Sequence, residues 1–128
     1  MKNNQLMIYG AYGYAGELMV REAVAQGLRP IIAGRDDEKL KPIATELSLE
    51  CRAFGVRNTG SNLQDISVLL NCAGPFSATA EPLARACLAQ QIHYLDITGE
   101  IDIFRKCHAL DEEARQQNVL ILPGAGTD

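Results

Sequence analysis

The sequence predicts an α/β fold, a parallel six-stranded sheet with helices packed on both of its faces. Short apolar runs alternate along the 128 residues with stretches whose apolar residues recur every three or four positions, the spacing of a helix. The first apolar run leads through three glycines, Gly10, Gly13 and Gly16, directly into one of these helical stretches. Strands that alternate with helices form parallel sheets, because each helix returns the chain to the edge where the previous strand began.

The first half of the chain contains three predicted strands and two predicted helices. The strands cover residues 6–9, 30–34 and 50–54, and helix one covers residues 14–26. Gly27 is predicted to end helix one. Asp36 is predicted to cap helix two, but Pro42 conflicts with so early a start, so either the first turn is irregular or the regular helix begins near Lys41. The predicted inward stripe of helix one is Gly16, Met19, Val20, Ala23 and Val24.

The second half begins with a polar connection, residues 55–65, in which one short helical turn is predicted near Leu63. Strand four, residues 67–71, is almost wholly apolar and is predicted to lie centrally, buried on both faces. Residues 71–76 are predicted to form a loop, and Pro82 to stand in the first turn of a helix over residues 79–90. The remaining predictions are strand five over residues 93–97, a helix over residues 101–117 and strand six over residues 119–122.

The predicted spatial order of the strands is 3-2-1-4-5-6, a Rossmann-like doubly wound sheet, and residues 1–128 are predicted to form one domain. Ligands of such sheets bind outside the carboxyl ends of the strands, where the strand order reverses. This point lies between strands one and four. The glycine turn and the loop over residues 71–76 are therefore predicted to meet there and to form a ligand site.

The glycine turn is the predicted binding site for the pyrophosphate of a dinucleotide. Gly10 can take a tight turn, Gly13 lets the backbone approach the phosphates, and Gly16 lets the helix lie close to the strand. The N–H groups and the dipole at the helix start favour the phosphate charge. The predicted cofactor-binding residues of this segment are Gly10, Tyr12, Gly13, Tyr14 and Ala15. The alternative is a glycine-rich turn that binds no ligand.

The end of strand two favours NADP over NAD. Domains that bind NAD usually carry an acid there to hold the ribose 2′-hydroxyl. This strand ends in Gly34 and Arg35 instead, and Lys39 follows one helical turn later. A planar, permanently charged guanidinium suits a 2′-phosphate. The alternative is NAD, because Asp36 or Asp37 could pair with Arg35 or reach the ribose hydroxyls themselves.

The loop after strand four is predicted to pass beside the nicotinamide, where small residues and a rigid proline let the backbone approach a flat ring. Its predicted cofactor-binding residues are Cys72, Ala73, Gly74 and Pro75. Cys72 is predicted to be a buried packing residue and not a nucleophile, since no neighbour in sequence would lower the pKa of its thiol. No catalytic residue and no metal site are predicted.

Four residues are candidates for the substrate side of this site. They are Phe76, Asp96, Thr98 and Glu100. The last three follow or end strand five, at the edge of the sheet where ligands of this architecture bind. The alternative for Thr98 and Glu100 is that they cap the following helix.

The composition restricts the class of partner. Lysines and arginines number 12 and aspartates and glutamates 16, and the net charge of −4 argues against a nucleic acid or an anionic membrane. No apolar run approaches the length of a membrane span. The four cysteines contain no C-x-x-C pair, so neither a zinc site nor a disulfide framework is predicted. The short polar start leaves no room for a leader, so we expect a cytoplasmic protein with reduced thiols.

Several motifs occur together in one order. They are G-A-Y-G-Y-A-G at residues 10–16, A-G-R at 33–35, N-C-A-G-P-F at 71–76, H-Y-L-D-I-T-G-E at 93–100 and P-G-A-G at 123–126. Over essentially the whole chain they resemble the NADP-binding domain of the saccharopine dehydrogenase-like oxidoreductases. The resemblance implies an NAD(P)-dependent oxidoreductase that transfers a hydride to or from an amino-acid-derived imine or a related C=N or C=C substrate. It also implies a second, substrate-binding and dimerising domain.

The chain departs from the family pattern in two ways. Tyr12 stands where Thr or Ser is common and Ala15 where Thr is common, so each change removes a hydroxyl that could bond a phosphate, and weaker cofactor binding is expected. The predicted elements also leave no room for the second domain. We therefore expect the chain alone to be inactive and to meet a small-molecule substrate only with a further domain, and a homodimer is a possible assembly. The alternatives are a non-catalytic NAD(P)-binding regulatory or interaction module, and an interaction domain whose glycine turn is empty.

Overall fold

A computed structural model of the chain describes residues 5–97 and 121–122. Within these residues, six parallel strands form one sheet in the order β3-β2-β1-β4-β5-β6, as predicted. The strands are β1 (Leu6–Tyr9), β2 (Ile31–Gly34), β3 (Cys51–Ala53), β4 (Val68–Asn71), β5 (His93–Asp96) and β6 (Ile121–Leu122). The helices are α1 (Tyr14–Ala25), α2 (Asp37–Leu47) and α3 (Phe76–Ala89), with a short 3-10 helix over Gly60–Leu63, where the helical turn was predicted.

Both faces of the sheet are covered, because successive residues of a strand point to opposite sides. Met7 of β1 lies in one core cluster with Leu83 of α3. Its neighbour Ile8 lies in a second cluster with Val20 of α1 and Leu40 of α2. The doubly wound arrangement is thus confirmed for the described helices. None of these helices has both the length and the apolar character that crossing a membrane requires.

Helix α1 ends as predicted but buries a narrower face. Gly27 has a φ of 87°, and the N–H of Leu28 bonds to the carbonyl oxygen of Ala23 at 3.0 Å, which closes the last turn. Met19 was expected to point inward and is 36% exposed, so that prediction is wrong. The buried residues of the helix are Gly16, Val20 and Ala23, and Gly16 packs directly against the glycine turn.

Helix α2 begins where its cap was predicted. The Asp36 carboxylate accepts a hydrogen bond of 3.0 Å from the N–H of Glu38. The helix continues through Pro42, so the alternative of a later start is wrong. The first turn is irregular instead, because the carbonyl oxygen of Asp36 accepts from the N–H groups of both Lys39 and Leu40, each at 3.2 Å.

Helix α3 begins three residues earlier than predicted. Phe76 was assigned to a loop, but it is the first helical residue, and Pro75 is the N-cap. Proline is tolerated at this place because the N-cap residue is extended, with a φ of −75° and a ψ of 136°, and its N–H would have no partner within the helix. As a result, Pro82 lies inside the helix and not in its first turn.

The strands differ from the prediction mainly at their ends. Strands β2 to β5 are each one or two residues shorter than predicted. Strand β4 lies between β1 and β5, as predicted, but Val68 and Leu70 are only half-buried, whereas Leu69 and Asn71 are buried. The predicted helix over residues 101–117 and the first half of predicted strand six lie outside the described residues.

Candidate functional site

A cleft of about 270 Å³ opens at the carboxyl ends of β1, β2 and β4. The glycine turn, the start of α2, the loop after β3 and the loop after β4 form its walls. The lining residues are Tyr9, Gly10, Tyr12, Gly13, Gly34, Arg35, Lys39, Val56, Cys72, Ala73, Gly74 and Thr79. The cleft therefore lies where the strand order reverses, the place where such sheets bind ligands.

The cleft brings together most of the residues named from the sequence as cofactor-binding. Those outside its lining are Tyr14, Ala15 and Pro75. Tyr14 is 83% exposed at the first position of α1. The lining residues that sequence reasoning missed are Tyr9, Val56 and Thr79.

Tyr9 connects two walls of the cleft. Its hydroxyl donates a hydrogen bond of 2.7 Å to the carbonyl oxygen of Phe54, and the two rings lie 5.1 Å apart, centroid to centroid. This contact ties the end of β1 to the segment after β3 and brings Val56 to the cleft. Burial raises the pKa of Tyr9 to about 12, so the hydroxyl remains a donor at neutral pH.

The three glycines of the turn have different surroundings. A Cβ atom at Gly10, whose φ is 84°, would lie 2.6 Å from the backbone nitrogen of Ala73, and one at Gly16 would lie 1.9 Å from the carbonyl oxygen of Gly10. Both positions therefore exclude a side chain for packing reasons. A Cβ at Gly13 would lie 3.5 Å from its nearest neighbour, an ordinary contact. Gly13 is exposed at the start of α1, so its missing side chain leaves open the surface above the first helical turn.

The end of β2 places two exposed cations beside the cleft. Arg35 and Lys39 both line it, and neither forms an ion pair with another residue in the part of the chain that the structure describes. The neighbouring acids are engaged elsewhere. The Asp36 carboxylate caps α2, and Asp37 pairs with Lys41 at 3.2 Å. The alternative considered from the sequence was an ion pair between Arg35 and one of these acids, and the described residues do not form that ion pair.

The loop after β4 is held by side-chain hydrogen bonds. The Thr79 hydroxyl donates to the carbonyl oxygen of Ala73 at 2.7 Å. The Asn71 side chain donates to the Thr79 hydroxyl at 3.1 Å and accepts from the N–H of Ala73 at 2.9 Å. Both polar groups of the Ala73 backbone are thus bonded to side chains, which fixes the wall of the cleft that packs beside the glycine turn.

Two titratable groups lie close to this loop, Cys72, which lines the cleft, and the buried Asp96. Burial, and then the nearby Asp96, raise the pKa of Cys72 to about 11, which keeps the thiol protonated and supports its interpretation as a packing residue. The Asp96 side chain was expected to face a substrate, but it exposes no surface and accepts a hydrogen bond of 2.6 Å from the Tyr94 hydroxyl. That expectation is corrected, because the strand directs this carboxylate into the interior.

The other substrate-side candidates have different outcomes. Phe76 is half-buried in the first turn of α3 and packs against the core. Thr98 and Glu100 lie outside the described residues. Among the residues that the structure describes, no three His, Cys, Asp or Glu side chains are grouped so that they could hold a metal ion.

Residues 6–122 match the family model described as the saccharopine dehydrogenase NADP binding domain. The chain belongs to this family. A saccharopine dehydrogenase-like oxidoreductase of Rattus norvegicus is 26% identical over an alignment of 147 residues. The alignment covers 97% of this chain and 34% of that protein. A putative trans-acting enoyl reductase of Mycobacterium tuberculosis is 26% identical, over 86% of this chain and 30% of that protein. The chain thus spans about a third of the length of these relatives.

Solved structures share the fold. Saccharopine dehydrogenase (L-Glu forming) from Saccharomyces cerevisiae superimposes with a TM-score of 0.80 at 12% identity, over 97% of this chain and 27% of that one. Yeast methylglyoxal/isovaleraldehyde reductase in complex with NADPH superimposes with a TM-score of 0.76 at 10% identity, over 93% of this chain and 54% of that one. The family match and the shared fold thus agree with each other.

The residues of this saccharopine dehydrogenase NADP binding domain fit a dinucleotide. The exposed Gly13 surface lies at the start of α1, where N–H groups without helical partners attract phosphate. Arg35 and Lys39 supply positive charge at one end of the cleft. In the loop after β4, Ala73 carries only a methyl group and Gly74 carries no side chain, which leaves space for a flat ring.

Proposed function

We propose that this domain binds NADP(H) in preference to NAD(H). Gly13 and the first turn of α1 hold the pyrophosphate, and Arg35 and Lys39 hold the 2′-phosphate. The observation that carries the proposal is the charge arrangement at the end of β2. Both cations are exposed and outside any ion pair of the described chain, while Asp36 and Asp37 are occupied by a helix cap and by Lys41.

The preference follows from what each charge can contact. An NAD ribose offers a neutral 2′-hydroxyl, which a carboxylate can accept from. Oδ1 of the Asp36 carboxylate accepts from the N–H of Glu38, which orients this carboxylate toward the start of α2. A 2′-phosphate instead offers charged oxygens to a guanidinium, a stronger and bidentate interaction.

We further propose that the full-length protein uses the bound nicotinamide for hydride transfer to or from an amino-acid-derived imine or a related C=N or C=C substrate. The cofactor supplies the hydride chemistry. The contribution of this chain is to hold the ring against the loop that Asn71 and Thr79 fix. The buried, protonated Cys72 takes no part in covalent chemistry. A further domain supplies the substrate contacts.

Titration calorimetry of the chain with NADPH and NADH tests the cofactor preference. We expect tighter binding of NADPH, and Arg35→Gln should weaken it by about 1.5–3 kcal/mol while leaving NADH binding nearly unchanged. Arg85→Gln is the matched control, since this exposed α3 arginine does not line the cleft. Equal or tighter binding of NADH by the wild-type chain would contradict the proposal.

A further inference from the structure

Tyr12 lines the cleft and contacts Gly34, Asp36 and Lys39. We infer that Tyr12 is a positioning residue, which holds Lys39 beside Arg35 and thereby sets the discrimination between NADP(H) and NAD(H). The inference rests on the proposed function. It goes beyond that proposal because it names a residue that sets the preference without carrying a charge itself.

The first observation is the contact between the ring and the ammonium group. Lys39 Nζ lies 5.6 Å from the centroid of the Tyr12 ring. This distance is within the roughly 6 Å over which the negative face of an aromatic ring attracts a cation. Lys39 is exposed, and a free lysine side chain loses considerable rotamer freedom when it binds a phosphate. The ring reduces that loss, because it orders the side chain before the ligand arrives.

The second observation is that the ring is itself fixed. Its hydroxyl accepts a hydrogen bond of 3.2 Å from the N–H of Asp36. A Cβ atom at Gly34 would lie 2.5 Å from Tyr12 Cε2, so the ring occupies the space that the missing side chain of Gly34 leaves. The ring therefore joins the turn after β1 to the start of α2, and it cannot take this position beside any larger residue at Gly34.

The third observation concerns charge. Lys41 stands on the same helix as Lys39, but it pairs with Asp37 at 3.2 Å. Lys39 is directed to the ring and to the cleft instead. Two cations, Lys39 and Arg35, thus face one end of the cleft, and a phosphate dianion gains from both while a ribose hydroxyl does not. Loss of the ring should therefore reduce the discrimination and not simply the affinity.

The test compares dissociation constants for NADPH and NADH, measured by titration calorimetry for the wild type and for variants. Tyr12→Phe keeps the ring and should keep the NADPH/NADH preference to within about twofold, whereas Tyr12→Leu should lower the preference by about threefold to tenfold, the scale of one cation–π contact together with side-chain ordering. Lys39→Met should produce a loss at least as large. Arg85→Gln is the control, since this exposed arginine of α3 does not line the cleft, and it should leave the preference unchanged.

Two double variants show whether the residues act through one another. In a Tyr12→Leu background, Lys39→Met should lower the preference much less than it does in the wild type, because the lysine is no longer positioned. Gly34→Ala should displace the ring and lower the preference by itself, but it should have little effect once Tyr12 is leucine. Melting temperatures without cofactor establish that each variant is folded, and Gly34→Ala serves if Tyr12→Leu does not fold.

The outcomes separate this inference from the proposed function. If the wild-type chain shows no preference for NADPH, both are overturned. If the wild type prefers NADPH and Arg35→Gln removes the preference, the proposed function stands. The inference then fails if Tyr12→Leu weakens NADPH and NADH equally, or if the Tyr12 and Lys39 effects are independent.

Discussion

The Tyr94 hydroxyl donates a hydrogen bond of 2.6 Å to Oδ2 of Asp96, and neither side chain exposes any surface to solvent. The same hydroxyl accepts from the Asn71 side chain at 3.1 Å, and Asn71 in turn holds the N–H of Ala73. A continuous series of hydrogen bonds thus connects the end of β5 to the wall of the cleft. Hydrogen bonds are electrostatically stronger in the low-dielectric interior, so this series stabilises one conformation of the loop.

Tyr94→Phe tests this series. The change removes a hydroxyl that donates to Asp96 and accepts from Asn71, and it should lower the free energy of unfolding by about 1–3 kcal/mol. Urea denaturation at pH 7 measures the loss. Tyr14→Phe removes an equivalent hydroxyl from a side chain that is 83% exposed, and it should change stability by less than about 0.5 kcal/mol. Equal stabilities of the two variants would contradict the role of the buried series.

Gly13→Val should abolish cofactor binding while preserving the fold. Gly13 has a φ of −74° and space for a Cβ atom, but a valine side chain would cover the surface where we place the pyrophosphate. At 100 times its dissociation constant, NADPH should stabilise the wild-type chain by about 2.7 kcal/mol, a rise of roughly 10 °C in melting temperature. The variant should melt at the same temperature with and without NADPH in differential scanning fluorimetry.

Gly16→Val is the contrasting variant for that experiment. Its Cβ atom would lie 1.9 Å from the carbonyl oxygen of Gly10, so the change should destabilise the chain even without cofactor. A Gly13→Val chain that retains the full NADPH-dependent rise would place the phosphates elsewhere.

The stability of the chain should fall between pH 9 and pH 11, in part through Cys72. The pKa of this thiol is raised in the folded chain from its ordinary 9.0 to about 11. Between these values the unfolded chain has lost the proton and the folded chain retains it, so stability falls as the pH rises, and below pH 9 the contribution is constant. Urea denaturation at pH 8 and pH 10 should therefore show a smaller decrease for Cys72→Ala than for the wild type. The Tyr9 hydroxyl, whose pKa is also raised, titrates alike in both chains and cancels.

The order of the strands could be predicted because it depends on local signals. Two of these signals are the strand–glycine–helix pattern at Gly10 to Gly16 and the apolar run of β4, and each can be recognised within a short window of sequence. The right-handed connection between parallel strands then restricts the possible strand orders. The place of Arg35 and Lys39 beside the cleft could be predicted for the same reason, since they follow a strand end at a known spacing. The start of α3 was misplaced because a Gly-Pro pair has the composition of a turn, although Pro75 is also a suitable N-cap.

The missed residues depend on contacts between distant segments. Tyr9 reaches the cleft wall by bonding to Phe54, 45 positions away, and no local pattern contains that information. Tyr12 was predicted to bind the cofactor, but its contacts with Gly34 and Asp36 were not predicted. Its bridging position depends on the space left by Gly34, which becomes visible only when the two turns are brought side by side.

The central position of β1 affects how the chain folds while the ribosome synthesises it. The hydrogen bond from Ser67 to Gln5, at the start of the β1–β4 pairing, spans 62 positions of the chain. At ribosomal speeds, β1 therefore keeps one edge unpaired for about 3–12 s after it has emerged. The unpaired N–H and C=O groups of an open strand edge can pair with a strand of another chain. The cofactor cannot protect the chain in this interval, because Ala73, which lines the cleft beside Gly10, is synthesised only after β4.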